Sequence, residues 1–215
     1  MPPVTQQAPS QDRQQALAQY DRRAQVYDLE LMAFEPIRHR AIALLKLAPG
    51  DAVLDLGCGT GLSFAPIQQA IGAYGRIAGV EQCPEMLDLA RARLTRHGWL
   101  NVTLLNTPVE EACLPGCADA ALFHFTHDIL RNPDAIRKVL RHLKPGARVV
   151  AAGLQWAPPW AWATNCFVAL AALHSVSSLN GLDQPWSLLA RELGGMAVSS
   201  TPWSGIYIAT GQVSQ

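Results

Sequence analysis

Three observations in this sequence predict a doubly wound α/β fold on a mostly parallel sheet. Short apolar runs ending at Leu56, Val80, Leu105, His124 and Gly153 alternate with segments of about ten residues whose apolar positions recur at helical spacing. A glycine-rich turn, Gly57-Cys58-Gly59-Thr60-Gly61, joins the first run to the first helix of that series. The second run, Ile77-Ala78-Gly79-Val80, ends on Glu81. Strands alternating with helices favour a parallel sheet, and right-handed crossovers cover both of its faces.

The elements follow in order. Residues 1–11, rich in Pro and Gln, bury little and are expected to be a disordered tail. Everything from 12 to 215 reads as one domain, a length sufficient for a sizeable core. From Asp12 the chain turns helical, with Leu17, Tyr20, Ala24 and Tyr27 at three- and four-residue spacings. Pro36 suits the first turn of a second helix through Leu47, which Pro49-Gly50 ends. Residues 12–48 form a helical N-terminal region and 50–153 the alternating core. In that core, helices are expected at Leu62–Ile71, from Pro84, and from Pro133 to Leu143. Strands are expected at Asn101–Leu105, Asp119–His124 and Ala147–Gly153, with Pro145-Gly146 as a turn before the last.

Residues 154–195 depart from the pattern. No formally charged residue lies between Arg148 and Asp183, and the stretch holds Trp156, Trp160, Trp162 and Phe167. Pro158, Pro159, Thr164 and Asn165 interrupt it too soon for a membrane span, which needs about 20 apolar residues. A buried helix lining an apolar pocket is the expectation, with membrane contact as the less favoured alternative. After a further helix from Pro185 to Leu193, Met196–Thr201 and Gly205–Gly211 read as a β-hairpin within a C-terminal strand region, 196–211.

Composition narrows the partners. Seventeen basic and seventeen acidic residues cancel with no basic stripe, which argues against nucleic acid. Five irregularly spaced cysteines and no signal-like N-terminus point to a reducing, cytoplasmic setting. Cys113 and Cys117 lack two further ligands at matching spacing, so no metal is expected. Oligomeric state is open.

Glycine permits φ > 0 and close approach of the backbone to a ligand. The spacing Gly-x-Gly-x-Gly differs from the dinucleotide fingerprint. Glu81, 20 residues past Gly61, stands where a carboxylate can accept both hydroxyls of a ribose. Strand, glycine turn, helix, strand and acid together make a nucleoside-binding βαβ unit.

VLDLGCGTG followed by GVEQCPEMLDLAR resembles the cofactor half of the class I S-adenosylmethionine-dependent methyltransferases, and the likeness runs through residues 50–153. It implies a Rossmann-like, seven-stranded sheet with an antiparallel C-terminal strand and a helical lid at 12–48. It implies S-adenosylmethionine as cofactor, leaving S-adenosylhomocysteine. Asp55, Gly57, Cys58, Gly59, Gly61, Glu81, Gln82, Met86, Thr107 and Val109 would hold it. Thr107 stands where the family usually has an Asp for the adenine amine, so Val109 N–H or Glu110 would do that work. The YDRRAQVYD helix resembles the family's lid. Tyr27 would then touch cofactor and Tyr20 the acceptor, or both pack on the core.

Methyl transfer depends mainly on holding acceptor and methyl together, with a base only where the acceptor loses a proton early. His127, Asp128 and His124, at the end of the fourth strand, are the candidates for that base. A backbone-satisfied core histidine is the alternative for His124. Trp156, Trp160, Trp162 and Trp186 would line the acceptor site, since indole faces hold flat apolar rings and attract cationic amines; core filling is the alternative. The acceptor expected is a small, largely apolar or aromatic molecule methylated at N or O. A weaker resemblance to bacterial phospholipid N-methyltransferases offers a lipid amine instead. A non-catalytic protein that only binds the cofactor is the third reading.

Overall fold

The computed structural model describes residues 34–173, 179–200 and 205–214. Tyr20, Tyr27, the expected tail at 1–11 and the first expected helix lie outside them.

A seven-stranded sheet runs in the order β3-β2-β1-β4-β5-β7-β6. Its strands are β1 (Ala52–Leu56), β2 (Arg76–Glu81), β3 (Val102–Asn106), β4 (Ala118–His124), β5 (Leu143–Leu154), β6 (Ala197–Ser200) and β7 (Ile206–Gln212). All pairs from β3 to β5 are parallel, and β7 runs antiparallel to both β5 and β6. The chain leaves β1 to build outward to β3, then crosses back to β4 beside β1. That reversal opens a crevice beyond the carboxyl ends of β1 and β4, where ligands of such sheets sit.

Alternation along the strands divides the core into two layers. Leu54, Leu56, Val80, Phe123, Val149 and Tyr207 face α5 (Pro133–Arg141) and α7 (Ser187–Leu193). Val53, Ile77, Leu122, Val150 and Ile208 face α1 (Glu35–Leu44), α2 (Phe64–Ile71) and α3 (Pro84–His97). Side chains on a strand alternate faces. Asp55, two residues from Val53, and His124, two from Leu122, therefore point toward α1.

Helix starts follow local chemistry. Proline opens α3 and α5, where its missing N–H is one of the helix's orphans. The Asn132 side chain accepts from the N–H groups of Asp134 and Ala135 to cap α5.

Two expectations are corrected and one short helix is added. Leu143 pairs with Ala118 inside β5, so α5 ends at Arg141 and Pro145-Gly146 lies within a strand whose pairing slips near Ala118 and Ala120. A short helix, α4 (His127–Leu130), follows β4. Helix α6 (Trp162–Leu173) is not buried as expected. Val168 is fully covered against Leu154 and Leu182, whereas Trp162, Phe167 and Leu170 face outward. A helix apolar all round had suggested full burial; here a single face is packed. Among the described residues, no helix is long and apolar enough to cross a membrane.

Candidate cofactor and acceptor site

The turn after β1 is held by its own hydrogen bonds. Gly57 and Cys58 N–H both donate to Val80 O (2.8 and 3.0 Å), and Gly61 N–H donates to Cys58 O. Gly59 N–H donates to Glu81 Oε2 (3.0 Å), and Cys83 N–H to Glu81 Oε1 (2.9 Å). Glu81 thus ties the glycine turn to the start of α3. Each carboxylate oxygen can accept two hydrogen bonds and takes one of these here, so lone pairs remain for a ligand's hydroxyls. Gly59 has φ +55°, and a Cβ there would meet nothing within 4 Å. Conformation alone demands glycine at this open position, and a ligand can lie directly on its backbone.

Asp55 is buried beside this turn with Oδ2 unpartnered. Burial pushes its carboxyl up to about 7; the Arg38 charge opposes that, and Glu81 reinforces it. Arg38 comes from α1, is itself buried, and pairs with Glu35 one turn away. A buried cation and a buried acid with an orphaned oxygen suit a zwitterionic amino-acid group. Arg38 is a site residue that the sequence reading missed. In sequence it is one of several arginines on a helix, and only packing brings it to Asp55.

The second missed residue is Asn106. Its amide donates to Glu81 O and Gln82 O (3.0 and 3.1 Å), fixing the loop after β2. Gln82 is exposed at that loop, Met86 is half-buried on α3, and Thr107 is half-buried just past β3. Val109 is a core residue buried in the cluster with Leu56 and Val80. Cys58 is buried, and its thiol is pushed far up by burial and by the acids Asp55 and Glu81.

Past β4 the backbone turns sharply. Phe125 has φ 58°, a left-handed conformation that non-glycine residues adopt at a cost. Its N–H donates to Ala152 O (2.7 Å), and its ring lies 4.8 Å from Phe34. The turn swings Thr126 and His127 into a narrow pocket with Phe125, Gly153, Leu154, Leu182 and Tyr207. His127 is buried, with Nε2 3.0 Å from Asn180 O. Burial first, and the Arg38 charge second, push His124 down to about 3, so it stays neutral and takes a proton poorly. Asp128 is exposed at the start of α4.

The tryptophans do not gather at this pocket. Trp156 packs on the small cluster of Leu154, Val168 and Leu182, and Trp186 tilts against Tyr207 at 4.7 Å beside the main core. Trp160 and Trp162 are exposed. Phe125, Leu154, Leu182 and Tyr207 supply the apolar walls instead, from four separate stretches of chain that no local pattern connects. Among the described residues, no three His, Cys, Asp or Glu side chains are grouped to hold a metal ion.

Comparison with known proteins agrees with this geometry. Residues 53–146 match a family profile described as a methyltransferase domain. The aklanonic acid methyltransferase DauC of Streptomyces sp. (strain C5) is 27% identical over 141 residues, covering 64% of each chain. A protein-L-isoaspartate O-methyltransferase of Methanococcoides burtonii is 33% identical over 114 residues, covering 53% of this chain and 54% of its own. The chain therefore spans between half and two thirds of the length of these curated relatives. The N-methyltransferase NodS from Bradyrhizobium japonicum, solved with S-adenosylhomocysteine, superposes with a TM-score of 0.58 at 14% identity, over 85% of this chain and 88% of that one. The glycine turn, the acid that ends β2 and the sheet order with its antiparallel β7 agree with the matched profile: residues 53–146 of this chain carry a methyltransferase domain.

Proposed function

We propose that this domain moves the methyl group of S-adenosylmethionine to an N or O atom of a small, largely apolar acceptor. One contact supports the reading most. A Cβ on Gly57 would stand 2.4 Å from Thr126 Cγ2, so the glycine turn touches the loop that carries the pocket. Cofactor turn and acceptor pocket therefore share one crevice, as in-line transfer requires.

S-adenosylmethionine supplies the activated methyl when bound. Glu81 takes the ribose hydroxyls, Asp55 the ammonium and Arg38 the carboxylate, while Gln82, Met86 and Thr107 border the adenine. His127 meets the acceptor. The relatives' names, an aklanonic acid methyltransferase and a protein isoaspartate O-methyltransferase, support a methyltransferase reading without fixing the acceptor.

Thermal shift tests it. S-adenosylhomocysteine at about 100 times its Kd adds roughly 2.7 kcal/mol, about 5–10 °C for this length. NAD adds nothing, and Glu81→Ala loses the response. Equal shifts with NAD, or none with either sulfur nucleoside, would defeat the proposal and favour a domain without this cofactor.

The outward apolar face of Trp160, Trp162, Phe167 and Leu170 favours a second reading, a lipid amine methylated at a membrane surface. Flotation with neutral and anionic vesicles separates the two: a protein that stays at the bottom of the gradient is not a lipid-surface enzyme.

A further inference from the structure

The pocket beyond β4 carries more chemical information than its apolar walls. Two of its side chains present buried atoms with no partner, His127 Nδ1 and Thr126 Oγ1. The other nitrogen of His127 settles what Nδ1 is. Asn180 O, 3.0 Å from Nε2, is a carbonyl oxygen and can only accept, so Nε2 carries the hydrogen. In the neutral ring Nδ1 is then a bare lone pair, an acceptor of hydrogen bonds. Thr126 Oγ1 is a hydroxyl and can donate.

An unpartnered buried acceptor and an unpartnered buried donor on consecutive residues of one pocket define a complement. A hydroxyl fits, because it donates its hydrogen to Nδ1 and accepts from Thr126 on the same oxygen. A carboxylate does not, because its lone pairs would face the lone pair of Nδ1. An ammonium does not, because no acidic side chain lines the pocket and its charge would be desolvated among Phe125, Leu154, Leu182 and Tyr207. The pocket has room for little more than a hydroxyl-sized group, so only the hydroxyl end of an acceptor enters it.

We propose that the methyl acceptor is the oxygen of an uncharged phenol or enol, seated between His127 Nδ1 and Thr126 Oγ1, with His127 as the proton acceptor. This rests on the function proposed above and narrows it to O-methylation. Phenolic hydroxyls ionise near pH 10, far more readily than alkanols, which suits imidazole as the base. The acceptor oxygen forms its bond to the methyl carbon as the methyl–sulfur bond breaks, and that electron pair stays on sulfur. The hydroxyl proton passes to Nδ1, while Nε2–H keeps its bond to Asn180 O and holds the imidazolium in place. The proton then leaves to solvent.

Histidine side-chain nitrogen NMR on the full chain tests this, with phenol, anisole, benzoate and benzylamine as probes. The expected result is hydrogen on Nε2 of His127 and a free lone pair on Nδ1. Phenol moves the Nδ1 resonance, and anisole, its methyl ether, binds at least tenfold more weakly. His127→Gln keeps a donor for Asn180 O but loses Nδ1, and it binds phenol at least tenfold more weakly. Thr126→Val, close in shape, does the same and covers the case in which the Gln variant fails to fold. Hydrogen on Nδ1, equal binding of phenol and anisole, or preference for benzoate or benzylamine would overturn the inference. S-adenosylhomocysteine is titrated in parallel. Its failure beside a phenol response sinks the donor reading and leaves the hydroxyl site supported, whereas its success without a phenol response sinks only this inference.

Discussion

Thr126 lies directly over Gly57, with room between them for a hydrogen and not for a methyl. The relationship joins two segments far apart in sequence, the turn after β1 and the loop after β4. It explains why Gly57 is glycine for two reasons at once: φ is +70°, and the space above it is filled.

Gly57→Ala is expected to strain the backbone and collide with Thr126 Cγ2 and Ile129 Cδ1. Each effect costs about 1–3 kcal/mol. The melting temperature should fall by at least about 4 °C. Gly59→Ala, whose Cβ meets nothing, should lose only the backbone part. Equal losses in the two variants would show that the Thr126 contact yields freely.

Glu81→Gln keeps the shape but removes the charge from two backbone hydrogen bonds and brings an NH2 against one of the N–H donors. Charge-assisted bonds contribute about 1.5–3 kcal/mol each. S-adenosylhomocysteine should bind about 10- to 100-fold more weakly by calorimetry. Unchanged affinity would remove Glu81 from the ribose site.

Asp55 and His124 set opposing pH dependences. An acid raised to about 7 from 3.8 holds a proton that the unfolded chain has lost. Its contribution is present at low pH and lost as pH rises through that window. A histidine lowered to about 3 from 6.5 contributes above pH 6.5 and loses that contribution as pH falls. Between about pH 4 and 6.5 the two slopes offset. Asp55→Asn should therefore make stability climb with pH there, by at most about 1.4 kcal/mol per unit. Urea melts at pH 4.5 and 6.5 check it; a flat profile in the variant would contradict the assignment.

The same acid couples to ligand binding. An ammonium placed at Asp55 favours the charged carboxylate, so S-adenosylhomocysteine should release a proton on binding below about pH 7. Calorimetry in two buffers of different ionisation enthalpy measures that release, and Asp55→Asn should abolish it along with most affinity.

Trp186 and Trp162 contrast within the apolar segment. Trp186→Ala removes a ring packed on Tyr207 and should cost about 3 kcal/mol or more, whereas exposed Trp162→Ala should stay within about 0.5 kcal/mol. Denaturant midpoints of the two variants distinguish them.

The cofactor side of the crevice was legible because it is local. Strand, turn and acid fall within about thirty residues, and glycine at Gly59 is dictated by its own dihedral angles. The acceptor side was half legible. Position after β4 singled out His127, which lines the pocket, whereas Phe125, Leu154, Leu182 and Tyr207 and no tryptophan line it beside His127. Indole content says that a segment is apolar; it does not say which rings a neighbouring helix will cover, and Trp160 and Trp162 turned outward. Nor did it reveal that α6 packs by one face alone, since a helix apolar all round has no period to mark its buried side.

The alternating elements, the glycine turn, Glu81 at its distance and the antiparallel C-terminal hairpin were legible beforehand, because each is written in residues close along the chain. Packing alone buries Arg38 and Asp55 together, sets Asn180 O against His127 Nε2 and closes Thr126 on Gly57. Those pairings join residues up to about seventy positions apart, and they exist only once the sheet order has brought their strand ends side by side.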